Sequence, residues 1–211
     1  MAELKIKRRV LSACQTNCYY VYREGANEVI VIDPGDRGDV VYEDVKQLGF
    51  EKVAGILLTH GHGDHTGGAI ELKSRSGAKI YAFEEEREIL MDPEKNLSGW
   101  FGKAYGFEAD EYLHHRQTLV MAGVTFEVLH TPGHTKGGCC FYDAEDAVMF
   151  CGDTIFNCSV GRTDFYSGSM KQLSDSIREQ IMTLPDETKL YSGHGEKTTV
   201  GYERKYNPCL S

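Results

Sequence analysis

The chain has 211 residues, of which 41% are hydrophobic and 26% are charged, and its net charge is −9. This length and composition are typical of a globular protein with a full core, which excludes a disordered chain and makes one domain over residues 1–211 the expectation. The negative charge, without a dense Lys/Arg stripe, argues against nucleic acid as a partner.

The first third of the chain alternates short β-rich runs with one helical stretch. Strands are predicted at KIKRRV, CYYVYR, EVIVIDPG and VAGILLTH, and a helix with Val41, Val45 and Leu48 on one face precedes the last of them. A short helix is expected over 67–76, closed by Gly77, and KIYA is the next predicted strand. The pattern indicates mixed α and β structure.

Residues 84–117 depart from this alternation. The segment begins with the charged helix candidate EEEREIL and continues with aromatic side chains threaded among glycines: Trp100, Phe101, Tyr105, Phe107 and Tyr112. One interpretation is a helical insert that packs on the sheet. The other is a lid or wall over the functional site, because long loops with their own aromatic side chains are often functional.

The second half repeats the theme, with strands predicted at VTFEVLH, GCCFYD, AVMFCGD and KLYSG and a helix from about Ser169 to Leu184. The endings LLTHGHGDHTGG and VLHTPGHTKGG echo each other after apolar runs. A duplicated half-unit would stack two sheets face to face with helices outside and both histidine loops at one edge. We therefore predict an α+β fold, a four-layer αββα sandwich with the functional site at one edge of the two sheets.

The strongest chemical signal is the loop THGHGDHTGG, which directly follows the apolar strand GILL. It holds four candidate metal ligands within six residues: His60, His62, Asp64 and His65. Side chains in an extended segment repeat their direction every second residue, so His60 and His62 can bind one ion together. Asp64 and His65 project elsewhere and suit a second ion.

Further ligands are expected in glycine-flanked loops or turns that follow predicted strands. His134 lies in TPGHTKGG, Asp153 in CGDTIF and His194 in SGHGEK. The predicted first site contains His60, His62 and His134, the second contains Asp64, His65 and His194, and Asp153 bridges the two ions. Each ion keeps room for water, which is typical of catalytic rather than structural sites.

Imidazole and carboxylate ligands without thiolate suit divalent ions, with zinc the first expectation and iron or manganese the alternatives. The predicted nucleophile is a metal-bridging hydroxide held by Asp64 and Asp153, because a bound ion lowers the pKa of water from about 15.7 to roughly 7. His114, His115 and His130 lack the glycine-rich setting and are expected to be structural or exposed.

On these motifs the chain resembles the metallo-β-lactamase superfamily, whose T-H-x-H-x-D-H loop is THGHGDH here. It is most similar to the glyoxalase II (hydroxyacylglutathione hydrolase) branch, in its short form without a C-terminal helical domain. TNCYYVY, VIDPGD, HTPGHTKGG, CGDTIF, GRTDFYSGS and YSGHGEKTT all have counterparts in that branch. The resemblance implies a small-molecule thioester substrate such as hydroxyacylglutathione, with Arg162 contacting its anionic part. The alternative for Arg162 is a surface arginine paired with Asp164.

Other activities of the same fold stay open. A persulfide dioxygenase would use a single iron, so metal content separates it from a binuclear hydrolase. A lactonase or phosphodiesterase would be recognised from a substrate panel. Lactam cleavage is a minor expectation, because zinc-dependent β-lactamases most often place Arg or Cys where this chain has His65 and Asp153. The oligomeric state is not determined by the sequence.

The cysteines indicate the compartment. All seven are scattered without a pairing rhythm or zinc-ribbon spacing, which is typical of reduced thiols in a cytoplasmic protein. No apolar run reaches the length of a membrane span, and no apolar region follows the basic start of the chain. We therefore expect neither membrane insertion nor secretion.

Overall fold

Two mixed β-sheets organise residues 2–210, the part of the chain that the computed structural model describes. The first sheet follows the chain order across its width. Its strands are β1 (Leu4–Leu11), β2 (Thr16–Arg23), β3 (Glu28–Ile32), β4 (Lys52–Leu57), β5 (Ile80–Phe83) and β6 (Glu111–Leu113). The first three strands pair antiparallel, and β3 to β6 are parallel.

The second sheet is built from the other half of the chain, in the order β14-β13-β10-β9-β8-β7. Its strands are β7 (Thr118–Met121), β8 (Val124–His130), β9 (Cys139–Asp143), β10 (Val148–Gly152), β13 (Lys189–Ser192) and β14 (Thr198–Thr199). A small hairpin of β11 (Ile155–Phe156) and β12 (Ser159–Val160) lies between β10 and β13 in sequence.

The helices are short. They are α1 (Gly38–Gln47), α2 (Gly63–Thr66), α3 (Ala69–Ser76), α4 (Arg87–Met91), α5 (Met170–Ser176) and α6 (Val200–Tyr206). A π-helical turn over Ile177–Ile181 continues α5, so the helix predicted from about Ser169 to Leu184 is less regular than expected. Within residues 2–210, no helix is both long enough and apolar enough to cross a membrane.

Strand β3 shows why the sheets stack. Its sequence EVIVI is apolar on both faces: Ile30 and Ile32 pack between the sheets, whereas Val29 and Val31 face the opposite side. A strand buried on both faces reads as a continuous apolar run, since successive side chains alternate in direction. The space between the sheets is filled from both of them, for example by Phe126 of β8.

Helices cover the outer faces of both sheets. Val41 of α1 and Leu72 of α3 are fully buried against the first sheet. Leu173 of α5 and Ile177, which follows it, are buried against the second. The predicted four-layer αββα sandwich is confirmed, and so are the strands expected from the apolar runs.

Segment 84–117 has a mixed structure. A 3₁₀ turn at Glu84–Glu86 leads into α4, a second 3₁₀ turn covers Ser98–Phe101, and the segment ends with β6 at the edge of the first sheet. Strand β6 was not predicted, and neither were β7, β14, the β11–β12 hairpin and α6. Such short elements carry too few residues for a periodic signal, so their neighbours determine them.

Parallel pairing sets the position of the histidine loops. Ile32 of β3 lies opposite Leu57 of β4, and Gly152 of β10 lies opposite Ser192 of β13. The loops that follow neighbouring parallel strands leave the sheet at the same edge. The loops after β3, β4, β10 and β13 therefore meet at one end of the sandwich.

Candidate metal centre

Seven side chains named from the sequence converge at this edge. The loop after β4, with α2, supplies four of them, and the loops after β8, β10 and β13 supply one each. Three overlapping groups have ligand atoms within 4.8 Å of one another: His60, His62 and His134; His60, His65 and Asp153; Asp64, His65 and His194. Two of these groups are the triplets assigned from sequence spacing.

The first triplet is almost completely buried. His62 Nδ1 lies 2.9 Å from His134 Nε2, and the His60 ring centroid lies 4.8 Å from the centroids of both other rings. Three imidazoles packed edge to face around one point present their nitrogens to a common position. This is a donor set that suits a divalent transition metal.

The second triplet is partly open to solvent through His194. Its Nε2 lies 3.3 Å from Asp64 Oδ2 and 3.4 Å from His65 Nε2. Asp64 also accepts a hydrogen bond from Thr16 Oγ1 at 3.2 Å, which holds the carboxylate in place.

Asp153 lies between the two triplets. Its Oδ2 is 3.6 Å from His134 Nε2 and 3.4 Å from His194 Nε2, and its Oδ1 is 3.3 Å from His65 Nε2. One carboxylate thus reaches nitrogens of both groups, as a bridging ligand requires.

Hydrogen bonds on the far side of three rings orient their Nε2 atoms toward the centre. Nδ1 of His65 donates to Asp33 Oδ2 at 2.9 Å, and Nδ1 of His134 donates to the Arg162 carbonyl at 2.7 Å. Nδ1 of His194 donates to the Cys14 carbonyl at 3.0 Å. A ring that donates from Nδ1 keeps the Nε2 lone pair free for a metal ion.

The centre fits metal ions in two further respects. Among the described residues, His60 Nε2, His62 Nε2 and Asp153 Oδ1 are buried without a hydrogen-bond partner, which is costly unless another group binds them. Gly193 also leaves space beside the ligands: a Cβ there would lie 2.2 Å from Asp153 Oδ1 and 2.5 Å from His65 Cε1.

The electrostatics of the protein residues show where positive charge is favoured. Burial lowers the pKa of His62 to about 3 and that of His60 well below its usual value. Burial also opposes charge on His194, but hydrogen bonds to Asp153 and Asp64 raise its pKa to about 10. The carboxylates therefore favour positive charge in the second triplet.

Two buried carboxylates that support the centre were not named from the sequence. Besides His65, Asp33 binds Thr59 N at 2.8 Å and Thr59 Oγ1 at 2.7 Å. Its place directly after β3, beside the parallel strand that precedes the histidine loop, was a signal that could have identified it.

Glu86 had no such signal within its run of glutamates. It is fully buried and accepts from Gly61 N at 2.8 Å, from Gly137 N at 3.0 Å and from Thr135 Oγ1. It thus ties the loop after β4 to the loop after β8. Burial raises its pKa to about 7, although the three donors oppose the rise.

A cavity of about 510 Å³ opens over the centre. Ligand residues of both triplets form part of its lining, and Trp100, Phe101, Phe156 and Phe165 contribute aromatic surface. Part of segment 84–117 therefore stands as a wall of this cavity.

Arg162 also lines the cavity, but its guanidinium donates to both carboxylate oxygens of Asp164 at 2.7 Å. The remaining histidines lie elsewhere. His114 pairs with Glu84 at 2.7 Å, His115 Nδ1 accepts from the His130 backbone, and the His130 ring stacks on Phe83.

Comparisons with known proteins point to one family. The family model described as the metallo-beta-lactamase superfamily matches residues 11–194. A protein named hydroxyacylglutathione hydrolase GloC, from Haemophilus influenzae, is 35% identical over 204 residues, which cover 95% of this chain and 95% of that protein.

Solved structures agree in fold. One named BLEG-1 B3 metallo-beta-lactamase superposes with a TM-score of 0.92 at 35% identity, covering 98% of this chain and 100% of that chain. TTHA1623 in a di-iron-bound form superposes with a TM-score of 0.84 at 32% identity, covering 96% and 98% of the respective chains.

Proposed function

Because the chain belongs to the metallo-β-lactamase superfamily, we propose that it is a binuclear metal-dependent hydrolase of thioesters. The main support is the position of Asp153, whose two oxygens reach imidazoles of both triplets within 3.6 Å. We assign the first ion to His60, His62 and His134, the second to Asp64, His65 and His194, and the bridging role to Asp153.

Divalent ions in this centre would supply a water molecule of lowered pKa as the nucleophile and a Lewis acid for the carbonyl oxygen. The protein's own groups position the reactants. Asp64 and Asp153 each place a carboxylate oxygen within 3.4 Å of His194 Nε2, so the two carboxylates converge at one side of the centre, where we propose that they hold the nucleophilic water. Aromatic side chains of the cavity, such as Phe156 and Phe165, would cover part of the substrate next to the scissile bond.

A thioester fits this machinery because its leaving group needs little help. A free thiol has a pKa of about 8.5, so a thiolate departs without a strong general acid. An amide leaving group would need a proton donor. The name of the Haemophilus influenzae relative, hydroxyacylglutathione hydrolase, also favours a thioester substrate.

Zinc and iron are both candidates for the ions, since a neighbour of similar fold has been described in a di-iron-bound form. The compartment we propose is the cytoplasm. Its support is that all seven cysteines are free thiols, which is typical of a reducing environment.

The test is metal analysis of the purified protein, run beside hydrolysis of S-lactoylglutathione and of an aliphatic acyl thioester by the same sample. The proposal predicts close to two ions per chain and hydrolysis of at least one thioester, both lost in Asp153→Ala. A single iron without hydrolysis would favour a persulfide dioxygenase instead.

A second candidate is β-lactam cleavage, favoured by the 35% identity to a structure named as a B3 β-lactamase. Nitrocefin, a β-lactam substrate, is added to the same assay to distinguish β-lactam cleavage from thioester hydrolysis. Turnover of nitrocefin with none of the thioesters would replace the thioesterase proposal, and a lactone or phosphodiester panel extends the comparison to the other activities of the fold.

A further inference from the structure

The cavity over the metal centre has an apolar wall beside each ligand triplet. One of these walls consists of Leu97, Trp100, Phe101 and Phe165, and we call it the aromatic wall. The Trp100 and Phe165 rings lie 5.4 Å apart, and the Phe165 ring lies 5.9 Å from that of His62. The aromatic wall therefore stands beside the first triplet.

A second apolar wall comes from the β11–β12 hairpin. Phe156 and Val160 line the cavity there, and the Phe156 ring lies 6.1 Å from that of His194 in the second triplet. A carbonyl held over the centre would therefore extend one substituent along each wall. Both substituents would meet mainly hydrocarbon surface.

Cationic side chains are scarce in the lining of this cavity. Of the Lys and Arg side chains in residues 2–210, Arg162 alone lines it, and Asp164 already binds that guanidinium with both oxygens. The guanidinium also lies 4.0 Å over the Phe165 ring, so one of its two faces is covered. Lys103 lines a neighbouring cavity, and the acidic residue Asp36 lines that cavity too.

We propose that the substrate is a thioester with an aliphatic acyl chain and an uncharged thiol, in preference to a hydroxyacyl ester of an anionic thiol such as glutathione. This inference rests on the proposed thioesterase activity and narrows it. Trp100 is 70% exposed and would be covered by the acyl chain. Each methylene that moves from water onto such a surface improves binding by roughly fourfold.

The test compares two acyl groups on two thiols, with the metal-loaded protein as the enzyme. The substrates are the lactoyl and hexanoyl thioesters of glutathione and of N-acetylcysteamine, which is neutral. We expect kcat/KM for hexanoyl-N-acetylcysteamine to exceed that for lactoylglutathione by about tenfold or more, mainly through KM. An equal or higher value for lactoylglutathione would overturn the inference while leaving the thioesterase proposal intact.

If the metal-loaded enzyme hydrolyses none of the four thioesters faster than Asp153→Ala does, the thioesterase proposal and this inference both fail. Binding provides a readout that needs no turnover, because Trp100 is the single tryptophan of the chain. The non-hydrolysable thioether S-hexyl-N-acetylcysteamine is expected to shift the tryptophan emission to shorter wavelength and to bind more tightly than S-hexylglutathione. No shift at saturation would remove Trp100 from the substrate site.

Variants locate the preference in the cavity. Trp100→Ala is expected to raise KM for hexanoyl-N-acetylcysteamine by about tenfold while kcat changes little, and Trp100→Phe should restore most of the loss. Tyr206→Ala removes an exposed aromatic ring on α6, away from the centre, and serves as the matched control. An equal rise in KM for lactoylglutathione and hexanoyl-N-acetylcysteamine would contradict recognition of the acyl chain by the aromatic wall.

Asp164→Asn tests the charge argument separately. Freeing Arg162 should raise kcat/KM for hexanoylglutathione relative to hexanoyl-N-acetylcysteamine by about threefold or more, as expected for an exposed ion pair. An unchanged ratio would show that Asp164 is not what disfavours the anionic thiol, and that part of the proposal would be abandoned.

Discussion

Asp33 and Glu86 hold the ligands of the centre in position, although neither belongs to the proposed ligand set. Asp33 holds His65 by its Nδ1, so the Nε2 lone pair faces the second triplet. Glu86 joins backbone N–H groups of two ligand-bearing loops through one buried carboxylate. Both residues act through contacts between segments that are distant in sequence.

Asp33→Asn is expected to weaken metal binding by about 10- to 100-fold, the usual effect of removing an outer partner of a ligating histidine. An amide NH₂ facing His65 Nδ1 would favour the tautomer that protonates Nε2. The backbone should tolerate the change, since Asn is one of the residues that adopt the positive φ of 51° found at Asp33.

Competition with a chromophoric chelator measures this affinity. Asp36→Asn is the matched control, because Asp36 binds only the following backbone N–H of Arg37 among the contacts described. Equal affinities for both variants would show that Asp33 does not position His65 for metal binding.

Glu86→Gln is expected to destabilise the protein, because the amide NH₂ must face at least one of three groups that now donate to Glu86. A buried donor left without an acceptor costs about 1–3 kcal/mol. This lowers Tm by roughly 2–4 °C per kcal/mol for a chain of this size.

Scanning calorimetry provides the measurement, with Glu85→Gln as the control. Glu85 is an exposed neighbour, so its substitution should change stability by less than about 0.5 kcal/mol. If the Glu86→Gln and Glu85→Gln proteins have the same Tm, the hydrogen bonds of Glu86 to the two loops do not stabilise the fold.

At the scale of elements, the centre depends on where strands end. The β3/β4 and β10/β13 pairs are parallel, and each releases a polar loop at the same edge. The turn after β13 also requires a glycine: Gly193 donates to the Gly152 carbonyl at 2.8 Å, so the strand ends approach closely beneath Asp153. A side chain at this position would enter the space of the ligands.

Gly193→Ala is therefore expected to disturb the bridging carboxylate while leaving the sandwich folded. The added Cβ would lie 2.2 Å from Asp153 Oδ1, and one of the two must move. We expect fewer than two bound ions per chain by metal analysis after dialysis, with an unchanged far-ultraviolet circular dichroism spectrum. Gly99→Ala is the control, since its Cβ would meet nothing nearer than 3.9 Å. Full occupancy in Gly193→Ala would contradict the steric argument.

At the scale of the whole molecule, the two sheets form a sandwich whose centre is apolar and whose edge is polar. The core between the sheets holds Phe126, Phe141 and Phe150, while the edge concentrates the histidines and carboxylates. Hydrophobic packing provides most of the stability of such a sandwich. Metal ions at the edge would add to it by binding the folded state alone.

Removal of metal by a strong chelator is expected to lower Tm by about 10 °C without unfolding the protein at 25 °C. Ligand present at 1,000 times its Kd contributes about 4 kcal/mol, and each kcal/mol corresponds to roughly 2–4 °C for this chain length. Calorimetry before and after chelation, with restoration by added zinc or iron, makes the measurement. Identical melting curves would show that metal binding at the centre does not stabilise the fold.

Much of this architecture follows from local patterns. Apolar runs such as EVIVI and VTFEVLH predict strands because alternation along a strand needs no knowledge of its partners. The loop THGHGDH likewise brings His60, His62, Asp64 and His65 together through covalent connectivity alone. Local patterns were therefore enough to predict the longer strands, the layered fold class and a cluster of candidate ligands.

The way in which distant segments meet cannot be read from such local patterns. The packing of the two sheets sets the distances from Asp153 to both triplets and the contacts of Asp33 and Glu86. It also places the local Arg162–Asp164 pair beside an aromatic wall. Residue spacing along the chain carries no direct measure of such separations. Residue spacing also could not predict short elements such as β6 and the β11–β12 hairpin. Contacts with neighbouring elements, rather than their own periodicity, hold them in place.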